Sequence, residues 1–213
     1  MADSIETFDE YVAQYEQWYE DHPEVYRSEL LALQEHFQEL PQNIRGIEVG
    51  LGTGRFSDPL GIKEGIEPSV EMAKKALQRG VEVMKGKAEH LPYASMQFDF
   101  VLFVTICYFR NLKRAISEAY RVLKPDGAII VGFLDKEQNI AQSYMDKRNR
   151  SNFYKQATFY SVERVEELLK TSGFQNLTYN QTLFGELGEI KEVQAPKSGY
   201  GQGSFVTVKA FKT

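Results

Sequence analysis

Between about residues 44 and 134 short apolar runs alternate with stretches whose apolar residues recur every three or four positions. That alternation predicts a mostly parallel β-sheet covered by helices on both faces. Tyr26, Leu30, Leu33, Phe37 and Leu40 form one stripe of a helix that Pro41 ends, and residues 5–20 also have helical spacing, broken at Asp21, His22 and Pro23. Strands are expected at 45–49, 64–67, 81–85 and 98–105; the last is apolar almost throughout and so buried on both faces. Ser69 is a natural N-cap for a helix through Gln78, with Gly80 as its stop. Leu112, Ala115, Ile116, Ala119, Tyr120 and Leu123 trace the apolar face of the next helix, and the turn KPDG then leads into a strand at 128–134.

The rhythm breaks at Asp135. Up to Tyr160 the chain is polar and aromatic without clean periodicity, the mark of a lid or surface excursion. Val162, Val165, Leu168 and Leu169 restore a helix that stops at Gly173, and strands at 174–184 and 204–211 close the chain. The linker between those strands holds Pro196 and the glycines of GYGQG.

A chain of 213 residues fits one domain, 1–213, with an N-terminal helical cap over about 1–41 and a lid-like insertion over about 135–160. No apolar run approaches the roughly 20 residues of a membrane span, and the acidic, aromatic start does not resemble an export signal. The single cysteine, Cys107, agrees with a reducing, cytoplasmic setting. A net charge of -5 gives no footprint for nucleic acid, and a small-molecule substrate is expected instead, despite the basic residues Lys147, Arg148 and Arg150. No metal site and no oligomeric state is assigned.

The candidate chemistry lies at the first strand-to-helix turn, where parallel sheets bind ligands. Its glycines are Gly50, Gly52 and Gly54. A dinucleotide fingerprint counted from Gly50 would need glycine where Arg55 stands, and a phosphate-binding loop would need a Gly-Lys-Ser/Thr that is absent. What remains is E-x-G-x-G-x-G with Glu67 at the end of the next strand, where a carboxylate can accept both ribose hydroxyls. Such a turn suits a nucleoside with little or no phosphate, and S-adenosylmethionine fits that description.

The segments IEVGLGTGRF, GIEPS, GKAEHLPYASMQFDFVLF, AISEAYRVLKPDGAIIVGF and FYSVERVEELLKTSGF follow one another over roughly residues 44–175. In that order they resemble the class I S-adenosylmethionine-dependent methyltransferases, in particular the small-molecule, type 11-like group. The resemblance implies an α/β, Rossmann-like, seven-stranded mostly parallel sheet with helices on both faces and an antiparallel last strand. It also implies that Gly50, Gly52 and Gly54 pass under the methionine part and ribose of the cofactor, with Glu48 near its amino group. Glu67 would hold the ribose hydroxyls, Pro68 and Met72 would lie against the adenine, and Ala88 and Glu89 would touch the adenine edge. Thr105 and Ile106 would end the fourth strand beneath the cofactor. Two departures stand out: Lys87 occupies a position where many relatives are acidic, and SDPLGIKEG leaves room for only about two helical turns between the first two strands, which would open the site.

The implied activity is methyl transfer to an unidentified small molecule by in-line displacement, yielding S-adenosylhomocysteine. A cofactor-binding sensor without turnover is an alternative, and a nicotinamide-dependent oxidoreductase a weaker one that the missing glycine disfavours. No catalytic residue is assigned. Tyr108, Tyr160 and Tyr200 are candidates for the acceptor pocket, being placed at the fourth-strand end, the lid exit and the glycine-rich loop. The stripe Tyr11, Tyr15, Trp18 and Tyr19 is expected to dock on the core; it could instead cover the cofactor, where aromatic faces stabilise a sulfonium. Cys107 is expected to be a small buried hydrophobe.

Overall fold

A computed structural model describes residues 4–213. Seven α-helices and eight strands are found there: α1 (Ser4–Glu10), α2 (Val12–Asp21), α3 (Pro23–Gln38), β1 (Gly46–Val49), β2 (Glu64–Ile66), α4 (Val70–Gln78), β3 (Glu82–Met84), β4 (Phe98–Val104), α5 (Leu112–Val122), β5 (Leu123–Leu134), α6 (Asn139–Asp146), α7 (Val162–Thr171), β6 (Phe174–Thr182), β7 (Lys197–Ser198) and β8 (Phe205–Lys212). The sheet order is β3-β2-β1-β4-β5-β8-β6-β7. β1 to β5 pair in parallel, and β8 runs antiparallel to both β5 and β6. This is the Rossmann-like sheet with its antiparallel last strand, extended by a two-residue edge strand, β7.

β4 holds the middle of the sheet because both of its faces are apolar. Phe98, Val101 and Phe103 join one core with α5 and α7, while Phe100, Leu102 and Val104 join a second core with α2, α3 and α6. A register shift between Phe98 and Phe100 explains why these two phenylalanines part to opposite faces, against strict alternation. Ser69 caps α4 through Met72 N–H, and α4 closes the sheet edge by setting Ala76 on Leu51 and Val81.

Four local departures from the sequence reading have physical reasons. The N-terminal helix breaks at Tyr11, whose backbone (φ -110°, ψ 23°) leaves the helical region, so it becomes the pair α1 and α2. In α3 the fully buried line is Val25, Glu29, Leu33 and His36, with Ser28 and Ala32 beside it; the aromatic stripe through Tyr26 and Phe37 is half-buried at its flank. The crossover from β1 to β2 contains no α-helix, only successive turns that Pro59 and Gly61 (φ +72°) prevent from propagating. The lid region does contain one helix, α6, followed by short 3-10 turns at Arg148–Arg150 and Tyr154–Gln156. Among the described residues no helix is long and apolar enough to cross a membrane.

Candidate functional site

The carboxyl ends of β1, β2, β3 and β4 converge on one cleft. It is lined by Gly50, Gly52, Glu67, Pro68, Met72, Lys87, Ala88, Glu89 and Thr105, with Tyr108, Phe109 and Arg110 after β4. Gly50 N–H and Leu51 N–H both donate to the Ile66 carbonyl, at 2.8 and 3.1 Å, which splices the glycine turn onto β2. Gly50 (φ +72°) and Gly52 (φ +57°) hold left-handed conformations; a Cβ on Gly50 would stand 3.0 Å from the Phe109 ring. The Glu67 carboxylate accepts Gly52 N–H at 2.8 Å and Ser69 N–H at 2.9 Å, so it is fixed at the lip of the turn.

The floor and lip are carboxylic. Burial pushes Glu67 up to about 7, partly offset by the Ser69 and Gly52 amides, while the charge of Asp9 raises it further. Glu48 lies beneath the turn rather than in the cleft. Its Oε2 accepts Ser57 Oγ–H at 2.5 Å, and among the described residues its Oε1 has no hydrogen-bond partner. Burial pushes this carboxyl up to about 8, against the Ser57 bond and with help from the charge of Glu67. A folded protein that binds these protons more tightly than the unfolded chain is fully stabilised by them below the ordinary carboxylate range. That stability is lost as pH rises through 7 to 8. Urea unfolding should therefore show lower stability at pH 8.5 than at pH 5, and Glu48→Gln should shrink that drop by on the order of 3 kcal/mol.

The shortened crossover does not leave the cleft open, because the N-terminal helices roof it. Ile5, Phe8 and Tyr15 line the cleft from above. Asp9 of α1 accepts Ser69 Oγ–H at 2.6 Å and Glu71 N–H at 3.0 Å, which seats α1 on the start of α4. Glu16 of α2 receives Thr53 Oγ1–H, Arg55 and Arg79. Burial opposes its ionisation, but the bonds from Arg55, Thr53 and Arg79 hold this carboxyl down to about 2. The aromatic stripe thus divides its work: Tyr19 packs into the core, while Tyr15 covers the cleft.

Beyond the cleft lies a second, larger cavity of about 290 Å³, and Tyr15, Thr105 and Tyr108 line both. Aromatic rings make up much of its wall: Trp18 and Tyr19 from α2, Tyr144 from α6, Phe153, Tyr154, Phe159 and Tyr160 from the rest of the lid. Tyr144 and Tyr154 stack at 4.1 Å, and Phe153 reaches Phe8 at 5.5 Å, so lid and N-terminal helices close on each other through rings.

The sequence candidates separate cleanly in this geometry. Gly50, Gly52, Glu67, Pro68, Met72, Ala88, Glu89 and Thr105 face the cleft, although the Glu89 carboxylate is engaged by Asn111 N–H at 3.0 Å. Gly54 does not line it; a Cβ there would point at α4, 3.2 Å from the Ala76 Cβ. Ile106 is buried and faces the second cavity, not the cleft. Tyr108 and Tyr160 line that cavity too, whereas Tyr200 does not. It is 41% exposed and its ring rests on Tyr179 at 5.0 Å, because β7 carries the glycine-rich loop along the outer edge of β6. Glu29, Asp9 and Glu16 were missed by the sequence reading. Glu29 left a trace, since it falls on the helical line Val25, Glu29, Leu33 otherwise given to core residues.

A family model for a methyltransferase domain matches residues 47–131. Over 99% of its length the chain is 42% identical, with a TM-score of 0.93, to a crystal structure from Thermotoga maritima described as an S-adenosylmethionine-dependent methyltransferase, possible histamine N-methyltransferase; all of that chain is covered. The chain belongs to the class I S-adenosylmethionine-dependent methyltransferases. It is also 42% identical to an uncharacterized protein of Methanocaldococcus jannaschii, over 98% of this chain and 100% of the relative. An uncharacterized methyltransferase of Bacillus pumilus is 25% identical over 88% of this chain and 93% of its own.

The cofactor of this family is S-adenosylmethionine, and the cleft suits it chemically. Two side-chain-free turn positions admit close approach, Glu67 offers its remaining lone pairs to hydroxyls, and Pro68, Met72 and Ala88 supply apolar surface for a flat base. Among the described residues no cluster of side chains could hold a metal ion.

Proposed function

We propose that the protein methylates a small-molecule acceptor seated in the second cavity by in-line displacement. S-adenosylmethionine would supply a methyl group activated as a sulfonium, and the protein's part would be to hold, align and keep out water. The observation that carries this reading is the shared wall: Tyr15, Thr105 and Tyr108 belong to both cavities, so a group in one lies beside a group in the other. In this reading Gly50 and Gly52 pass under the methionine part and ribose, and Glu67 receives the ribose hydroxyls. Pro68, Met72 and Ala88 hold the adenine, and Thr105 stands beneath the transferred methyl.

Alignment of two reactants in this way can supply about 7–11 kcal/mol of barrier reduction. A thiolate or phenolate base is not part of the reading. Burial pushes the Cys107 thiol up to about 12 and Tyr108 and Tyr154 well above the ordinary phenol, so all three are neutral at physiological pH. A small-molecule acceptor rather than a nucleic acid is supported by a second cavity that, among the described residues, no lysine or arginine lines, and by Arg148 of the lid, which is turned onto the Ala157 carbonyl at 2.6 Å.

Transfer of a labelled methyl group into a metabolite extract tests the reading and identifies the acceptor. Leu187→Trp, which places an indole in the second cavity, should lower transfer at least tenfold while S-adenosylhomocysteine still binds. Cofactor binding without any labelled product would overturn the proposal in favour of a sensor.

A further inference from the structure

Among the described residues Glu29 is the one ionisable acid or base, apart from phenols and a thiol, that lines the second cavity. It projects from the core-facing line of α3 and is 7% exposed, yet among the described residues it accepts no hydrogen bond and makes no ion pair. Leaving a carboxylate dry and unpaired is costly, and proteins ordinarily pair such a group or let it take up a proton. Burial alone pushes Glu29 up to about 8. The side chains that feel its charge are the phenols of Tyr19 on α2 and Tyr144 on α6, both themselves raised by burial, and among the described residues no cation faces it.

Around this carboxyl the walls are the rings of Trp18, Tyr19, Tyr144 and Tyr154. Aromatic faces attract organic cations, and more strongly where water is excluded. A buried acid and an aromatic wall select the same kind of guest: a positive charge on an apolar body. We propose that the second cavity binds a small organic ammonium ion, its charge on Glu29 and its apolar portion against the Trp18 and tyrosine rings. This inference rests on the reading of that cavity as the acceptor pocket and names the acceptor's class; for transfer to that nitrogen the ammonium first gives a proton to the Glu29 carboxylate, and the lone pair so freed attacks the sulfonium methyl as the thioether leaves.

Calorimetric titrations of the full chain, with S-adenosylhomocysteine present, would compare three probes of one skeleton: phenethylamine, 2-phenylethanol and 3-phenylpropionate. The amine should bind at least tenfold more tightly than the alcohol, and the carboxylate should not bind. Glu29→Gln, which keeps the shape and removes the charge, should weaken the amine at least tenfold and leave the alcohol unchanged; Trp18→Leu should weaken the amine as well. An alcohol bound as well as the amine, an amine preference that survives Glu29→Gln, or no amine binding at millimolar concentration overturns the ammonium assignment. Leu187→Trp separates the two readings. If it blocks the probes while Glu29→Gln does nothing, the acceptor pocket stands without the ammonium; if the probes bind Leu187→Trp normally, the pocket reading itself has failed.

Discussion

Glu67→Ala is expected to raise the dissociation constant for S-adenosylhomocysteine by about 10- to 100-fold, which corresponds to about 1.4–2.7 kcal/mol. Two losses add up in it. The first is on the ligand side, where hydrogen bonds from hydroxyls to a charged group contribute about 1.5–3 kcal/mol. The second is on the protein side. Glu67 receives the amides of Gly52 and Ser69, so its removal leaves two inward N–H groups without an acceptor and frees the glycine turn to move. Glu67→Gln separates the two, since the amide oxygen can keep one of those bonds while the charge is lost. With the carboxyl raised to about 7, hydroxyl donors favour its ionised form, so wild-type affinity should improve as pH rises from 6 to 8. The same titration in Glu67→Gln should be flatter. A calorimetric dissociation constant unchanged in a folded Glu67→Ala protein would remove Glu67 from the site.

What was legible in the sequence is what short-range patterns encode. The apolar run of β4, the Ser69 cap and the glycine turn are each fixed by a few neighbouring residues, and the structure places them as the pattern implies. The cleft at the strand ends follows from them because the ends of adjacent parallel strands must meet. The second cavity was not legible, for its walls come from α2, α3, Phe56 of the β1–β2 crossover, the segment after β4, the end of β5, the lid and the Leu183–Leu187 stretch, seven pieces brought together only by folding. No single motif spans them. Tyr200 misled for the same reason: a glycine-rich loop marks a turn but not which edge of the sheet it follows, and here β7 takes it to the outer one. The roofing of the cleft depends on Glu16, an ordinary acidic position on an amphipathic helix whose partners Arg55 and Arg79 lie 39 and 63 residues away.

Gly65→Ala should be among the most damaging single methyls in the chain, lowering stability by about 3 kcal/mol or more and abolishing cofactor binding. Gly65 sits in β2 with ordinary strand geometry, so backbone strain is not the cause. The cause is space: a Cβ there would lie 2.4 Å from the Glu48 carbonyl oxygen and 2.5 Å from a Leu51 methyl. The methyl of Leu51 can turn aside, but the carbonyl belongs to β1, which is held between β2 and β4 by the pairs Glu48↔Gly65 and Glu48↔Leu102. Moving it pulls β1 from its neighbours and drags the Gly50 and Leu51 amides off the Ile66 carbonyl. The displaced parts are then the glycine turn and Glu67, so the fold defect and the binding defect are one event. Gly188→Ala is the matched control, because its Cβ would meet nothing within 4 Å and its backbone is not left-handed. Thermal melts and S-adenosylhomocysteine calorimetry on both variants check the argument: Gly188→Ala should behave as wild type, and a Gly65→Ala protein that melts and binds normally would show that β1 can yield without loss.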